Sequence, residues 1–205
     1  MRTECIPASQ VGAIPYAIKV LKAGGLVAFP TDTVYGLGSM AFNSQAIDNI
    51  YLAKERPAEK AIPILIGTPD DLEKVAAEIP SLASKLAARF WPGPLTLVLP
   101  KHPDLPENVS NSPTVGVRIP DHPVARQLLL ASGPMAVTSA NLSGKENPIT
   151  AGQVMEQLNG RIQLVLDGGE TPGGIPSTVI NCTGSEPIIL REGPITGKDI
   201  QFLYI

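Results

Sequence analysis

Apolar residues return every three or four positions over residues 12–23, where Ile14, Ala17, Ile18 and Leu21 share one face and Gly24-Gly25 stops the pattern. That spacing predicts an amphipathic helix. The unbroken apolar run 26–29 predicts a short buried strand. Asn43 is placed to cap a second helix, in which Ile47, Ile50, Tyr51 and Lys54 share a face until Pro57 ends it, so Lys54 and Arg56 fall at a helix C-terminus. Residues 62–66 predict a strand, 70–79 a helix opened by two aspartates, and 81–90 a helix stopped by WPGP. Alternation over 95–99 and 115–119 predicts two half-buried strands, and Asp121 is expected to cap a helix over 122–132 that Gly133 ends. A strand at 135–138 leads into the SANLSG loop. Thr150 then caps a helix to Leu158, and strands near 162–166, 177–181 and 187–190 follow. Pairs of strands are not always separated by helices. The pattern therefore predicts an α/β fold, a twisted mixed sheet flanked by helices, rather than a regular doubly wound sheet.

A chain of 205 residues, 43% of them hydrophobic, is long enough for one full-sized core, so a single domain is expected. The net charge of -3 weighs against a surface that grips nucleic acid all round, and leaves room only for a local basic cleft. Cys5 and Cys182 are the only cysteines, and His102 and His122 each precede a proline, so neither a zinc site nor a disulfide framework is expected. No apolar stretch reaches the roughly 18 residues that span a bilayer, which predicts a cytoplasmic protein without membrane contact.

Gly36-Leu-Gly38-Ser-Met-Ala41 fits a dinucleotide-binding pattern, but residues 30–35 separate it from the preceding strand and the next strand ends in Gly67, where an acidic ribose ligand belongs. The two glycines are instead expected to turn a tight loop against the sheet. No Walker A sequence exists, so a nucleotide site would have to be built from scattered cations: Lys54, Arg56, Lys60, Arg118 and Arg191. Lys54 and Arg56 either complement the dipole of their helix end or meet a ligand. Arg118, between Val117 and Ile119 in GVRIP, faces away from both and needs an anionic partner or a cleft. In TSANLSG (138–144), hydroxyls and an amide crowd a strand end, where open α/β sheets place ligands; an Asx or Ser turn is the alternative. Thr31, Asp32 and Thr33 form a second polar cluster at another strand end.

Taken together and in order, PTDTVYGLG, AKERP, GVRIP, TSANLSG, PSTVI and LREGPIT resemble the YrdC/Sua5 family of threonylcarbamoyl-AMP synthases over residues 10–197, leaving 198–205 as a short C-terminal tail. Its most specific part pairs Lys54-Glu55-Arg56 with Ser139-Ala140-Asn141. The resemblance implies a concave basic cleft on a YrdC-like sheet. It implies ATP held by Lys54, Arg56, Lys60, Thr114, Ser139, Asn141, Asn147 and Arg191, with Lys54 and Arg56 stabilising the phosphates and no protein nucleophile. It implies L-threonine held by Thr33, Arg118 and Thr138, with Thr31, Ser177 and Thr178 lining the site. The implied activity is that of a nucleotidyltransferase. It joins L-threonine, bicarbonate and ATP, with Mg2+ on the phosphates, into threonylcarbamoyl-AMP and diphosphate, the first step of the tRNA modification t6A, and feeds a downstream tRNA threonylcarbamoyl transferase. Two departures stand out: Lys60-Ala61-Ile62 replaces the Asn-Pro-Leu of longer members, and Asn147 stands in NPIT where a serine is common. The chain ends 14 residues after Arg191, which suggests the single-domain form. The alternatives are weak RNA binding through the same cleft and a YciO-type paralogue without synthase activity. A carbamoyl-transfer domain of the hydrogenase-maturation kind would bring zinc-finger cysteines, which this sequence lacks.

Overall fold

The computed structural model describes residues 2–201. Among them, ten strands form one mixed sheet in the order β1-β8-β2-β3-β7-β4-β6-β5-β9-β10. In chain order these are β1 (Glu4–Pro7), β2 (Val27–Phe29), β3 (Gly36–Met40), β4 (Ile64–Leu65), β5 (Leu95–Pro100), β6 (Thr114–Arg118), β7 (Met135–Ser139), β8 (Leu164–Asp167), β9 (Thr178–Asn181) and β10 (Ile188–Arg191). Parallel pairs (β1/β8, β2/β8, β4/β6, β5/β9) are interleaved with antiparallel ones (β2/β3, β3/β7, β4/β7, β5/β6, β9/β10). The helices are α1 (Ala13–Lys22), α2 (Ser44–Lys54), α3 (Ser81–Phe90), α4 (Pro123–Ser132), α5 (Ala151–Leu158) and the short α6 (Gly197–Ile200).

Strand alternation sends neighbouring residues to two separate cores. Val27, Phe29, Met135, Val137, Leu164 and Leu166 pack with Ala17 and Leu21 of α1 and Leu128 and Leu129 of α4. Ala28, Ala136 and Val165 face the other way, into the larger core that holds Ile47 and Ile50 of α2, Leu86 of α3 and Val154 of α5. That second core continues under Leu95, Leu97, Val115, Val117 and Ile180, so one face of the sheet is covered from β2 to β9. The α1/α4 core stops near Leu65 of β4. Beyond it, the same face of β6 and β5 carries Arg118 and Thr96, and this uncovered half of the sheet positions the site.

The expected α/β sheet with flanking helices is the observed architecture, with local differences. Residues 36–40, expected as a loop, form β3. Gly36 and Gly38 are there to admit β7, since a Cβ on either would lie 2.8 Å from Val137 or Met135 side-chain atoms. The expected helix over 70–79 is a 3-10 segment, Pro69–Lys74. Ala76 then bridges Lys101, and Ala77 N–H donates to Pro100 O at 2.9 Å, so pairing with the end of β5 takes the backbone that a helix would need. Helix α4 is capped by His122, whose Nδ1 accepts from Val124 N, and not by Asp121, whose own N–H donates to Asp32. Strand β1 had no counterpart in the expected pattern. Of the tail expected over 198–205, residues 198–200 belong to α6 and bury Ile200, while 202–205 lie outside the described residues.

Candidate active site

Helix α2 begins where Asn43 Oδ1 accepts from Ala46 N at 3.0 Å, and ends in Glu55 at φ 52°, a left-handed turn that sends Lys54 and Arg56 in different directions. Arg56 reaches a cavity of about 320 Å³ that runs across the sheet from Gly36 of β3 and Ser139 of β7, past Leu65, Arg118 and Thr96, to Ser177 before β9 and Arg191 of β10. Open sheets with both helices and bare strand ends on one face place ligands in such crevices.

Three arginines line the cavity: Arg56 and Arg191 are each held along the Nε/Nη2 edge, while Arg118 is held at all three nitrogens. Arg56 Nε and Nη2 donate to the carbonyls of Lys60 and Ala61 at 3.1 and 2.9 Å. Arg191 Nε and Nη2 donate to Ser177 O at 3.0 and 2.7 Å, and Nη2 also to Ser177 Oγ, which is bonded to Thr96 Oγ1 at 2.8 Å. Arg118 donates to Gly93 O, Thr33 Oγ1 and Asp32 Oδ1, the last at 2.6 Å. Burial pulls all three guanidinium groups below their ordinary value, with Asp32 opposing it at Arg118, yet arginine stays charged throughout. Such forks suit planar, multiply charged oxyanions.

Of the residues expected at the site, Thr31, Thr33, Arg56, Arg118, Thr138, Ser139, Asn147, Ser177 and Arg191 line this cavity, and five do not. Lys54 is only 1% exposed; its ammonium donates to the carbonyls of Ser139 and Asn141, so it braces the loop and does not line this cavity. Burial, with Arg56 nearby, pushes its pKa down to about 7. Asn141 turns its amide onto Leu142 O and Lys145 O, both at 2.8 Å, which makes it a loop-former. Thr178 is buried and pins Ile195 from both sides. Thr114 is at the far end of β6 from Arg118, bonded to Ser112, and Lys60 is exposed and contributes its carbonyl to Arg56. Thr96 was not among the expected residues, although it breaks an apolar alternation as Arg118 does. Asp32 was seen only as part of a polar cluster, and its pairing with Arg118 joins segments 86 residues apart.

The Sua5/YciO/YrdC family model, which carries the description telomere recombination, matches residues 19–193. The chain belongs to this family. It is 46% identical over 190 residues to the threonylcarbamoyl-AMP synthase of Pyrococcus abyssi (strain GE5 / Orsay), covering 92% of this chain and 56% of that relative. The crystal structure of P. abyssi Sua5 complexed with L-threonine superposes with a TM-score of 0.95 at 43% identity, covering 98% of this chain and 61% of that one. E. coli YciO superposes with a TM-score of 0.86 at 26% identity, covering 97% of this chain and 99% of YciO. The chain thus spans about half the length of the first curated synthases that it matches. Among the described residues, no helix is long and apolar enough to cross a membrane.

Proposed function

We propose that this Sua5/YciO/YrdC domain is a threonylcarbamoyl-AMP synthase of the cytoplasm, forming L-threonylcarbamoyladenylate and diphosphate from L-threonine, bicarbonate and ATP. The observation that carries this reading is three arginines on one cavity, of which only Arg118 has a carboxylate within 4.0 Å among the described residues. Arg56 and Arg191, uncompensated, suit a polyphosphate. Arg118, paired with Asp32 and next to Thr33, suits the carboxylate of an amino acid. The identity to a named synthase and the fit to a Sua5 bound to L-threonine support a synthase that takes L-threonine.

The chemistry suits the lining. Bicarbonate condenses with the threonine amine with loss of water, or CO2 adds to it with loss of a proton; an oxygen of the resulting carbamate attacks the α-phosphorus of ATP, and diphosphate leaves. No step needs a protein nucleophile. Positioning and cations that neutralise developing charge are sufficient, and Arg56 and Arg191 are fixed in advance by their carbonyl contacts. The lining carries hydroxyls and the Asn147 amide but no carboxylate, which suits a Mg2+ ion carried in on the phosphate oxygens, where it would add charge neutralisation. The product is a reactive mixed anhydride, so a tRNA threonylcarbamoyl transferase is the natural consumer, through the N6 amine of adenosine in t6A.

Diphosphate release from ATP, followed with threonine and bicarbonate added singly and together, tests the reading. Release that requires both supports it. Release indifferent to threonine sinks it, and no release beside retained RNA binding would assign the cleft to RNA.

A further inference from the structure

Asp32 does not line the cavity, yet it determines the charge of one corner. Its Oδ1 accepts from Arg118 Nη2 at 2.6 Å and from Asp121 N at 3.0 Å, with the two side chains only 12% and 7% exposed. The Arg118 corner is therefore close to neutral, while Arg56 and Arg191 keep their full charge. Of the five N–H donors on a guanidinium, Arg118 has one each on Gly93, Thr33 and Asp32, which leaves one on each terminal nitrogen, enough for one carboxylate.

The neighbouring Thr31 hydroxyl is fully engaged: Oγ1 gives its single proton to Val34 O at 2.7 Å and accepts from the backbone N–H groups of Thr33 and Val34 at 3.2 and 3.3 Å. Thr33 Oγ1 accepts from Arg118 Nη1 and keeps its own proton and a lone pair, so it can meet either a carboxylate oxygen or an N–H of a ligand. An amino acid or its carbamate can use both groups. A phosphate dianion meets there a single arginine whose charge Asp32 already offsets, and finds more cationic charge at Arg56 and Arg191.

Building on the proposed function, we propose that Asp32 is a positioning residue that makes the Arg118 corner selective: by offsetting the Arg118 charge it admits a monocarboxylate and keeps phosphate groups on Arg56 and Arg191. Asp32→Asn preserves shape and an acceptor for Arg118 but removes the charge, so the corner becomes open to phosphate.

The test uses inorganic phosphate as an inhibitor of diphosphate formation by the whole protein, with ATP and threonine varied in turn. In the unmodified protein phosphate competes with ATP and not with threonine. In Asp32→Asn the Ki of phosphate against threonine falls at least about tenfold, while the KM for ATP moves less than about twofold; Asp32→Glu restores the original pattern. A merely structural Asp32 produces no new competition. Competition against threonine in the unmodified protein, or a folded Asp32→Asn with an unchanged phosphate pattern, overturns the proposal. Should Asp32→Asn not fold, Asp32→Ser, which also removes the charge, is read in the same way. If no diphosphate forms, the synthase reading fails, and calorimetric titration of threonine with and without phosphate still decides the role of Asp32.

Discussion

The Lys54 ammonium lies 2.5 Å from the Ser139 carbonyl oxygen and donates to it, as it does to the carbonyl of Asn141, while the Lys54 carbonyl accepts from Ser143 N at 2.8 Å. One residue thus closes the 139–143 loop from both ends. Thr138 and Ser139 owe their place on the cavity to this clamp.

Lys54→Met keeps most of the apolar stem and removes both donors. Two buried carbonyls then lack a partner, at about 1–3 kcal/mol each, partly offset because a buried charge is gone. Diphosphate formation is expected to fall about tenfold or more through both substrates, with a lowered melting temperature. A rise confined to the KM for ATP, with an unchanged melt, would show that Lys54 meets the nucleotide directly.

The same residue predicts a pH dependence. Its pKa of about 7 in the folded protein is below the roughly 10.4 of an unfolded lysine, so between these values the unfolded chain holds a proton that the folded one has released. Stability from this group therefore rises as pH rises from about 7 to about 10, by up to about 1.4 kcal/mol per unit. A neutral amine still has two N–H groups for its two carbonyls, so the clamp persists. Denaturant melts of the unmodified protein and Lys54→Met should diverge as pH increases. Parallel curves would show that Lys54 stays charged.

Arg56 and Arg118 should fail in different ways. Arg56→Gln releases only the exposed 60–61 carbonyls, so stability should change by less than about 1 kcal/mol while the KM for ATP rises about tenfold. Arg118→Gln leaves Asp32 buried without its cation, a loss of about 3–5 kcal/mol, and raises the KM for threonine. Steady-state kinetics beside thermal melts separate the two; the same substrate affected by both substitutions contradicts the division of the cavity.

The helices with clean caps and faces were legible in the sequence, as α2 shows from Asn43 to Lys54, because their signals are local. Strand β3 was not, since Gly36 and Gly38 have the composition of a turn and their reason for being there is the side chains of β7, a century of residues away in sequence. Arg118 was legible as a charge needing a partner, because alternation alone puts it opposite Val117 and Ile119. Which partner it takes depends on a contact between distant loops. Lys54 looked like a ligand cation on its motif. The direction of one side chain, set by how the 139–143 loop folds back, made it a brace.

Gly193 offers the sharpest test of how the Arg191 rim is held. A Cβ there would lie 2.5 Å from Pro176 O and Thr178 N, backbone atoms on which no rotamer change gives relief. The segment that follows Arg191 passes this close so that Ile195 can exchange hydrogen bonds with the Thr178 hydroxyl, and the facing 176–178 segment carries the Ser177 carbonyl that holds Arg191. Gly193→Ala must push these backbones apart, at about 1–3 kcal/mol or more, and should loosen Arg191 and raise the KM for ATP together with the loss of stability. Gly152 is the control. It lies exposed in α5, where the nearest atom to a new Cβ is 3.8 Å away, so Gly152→Ala should stabilise by about 0.5–1 kcal/mol without touching either KM. Melting temperatures and ATP saturation curves of the two variants should move in opposite directions for stability and only in Gly193→Ala for ATP; an unperturbed Gly193→Ala would mean that the Arg191 rim does not depend on this close approach.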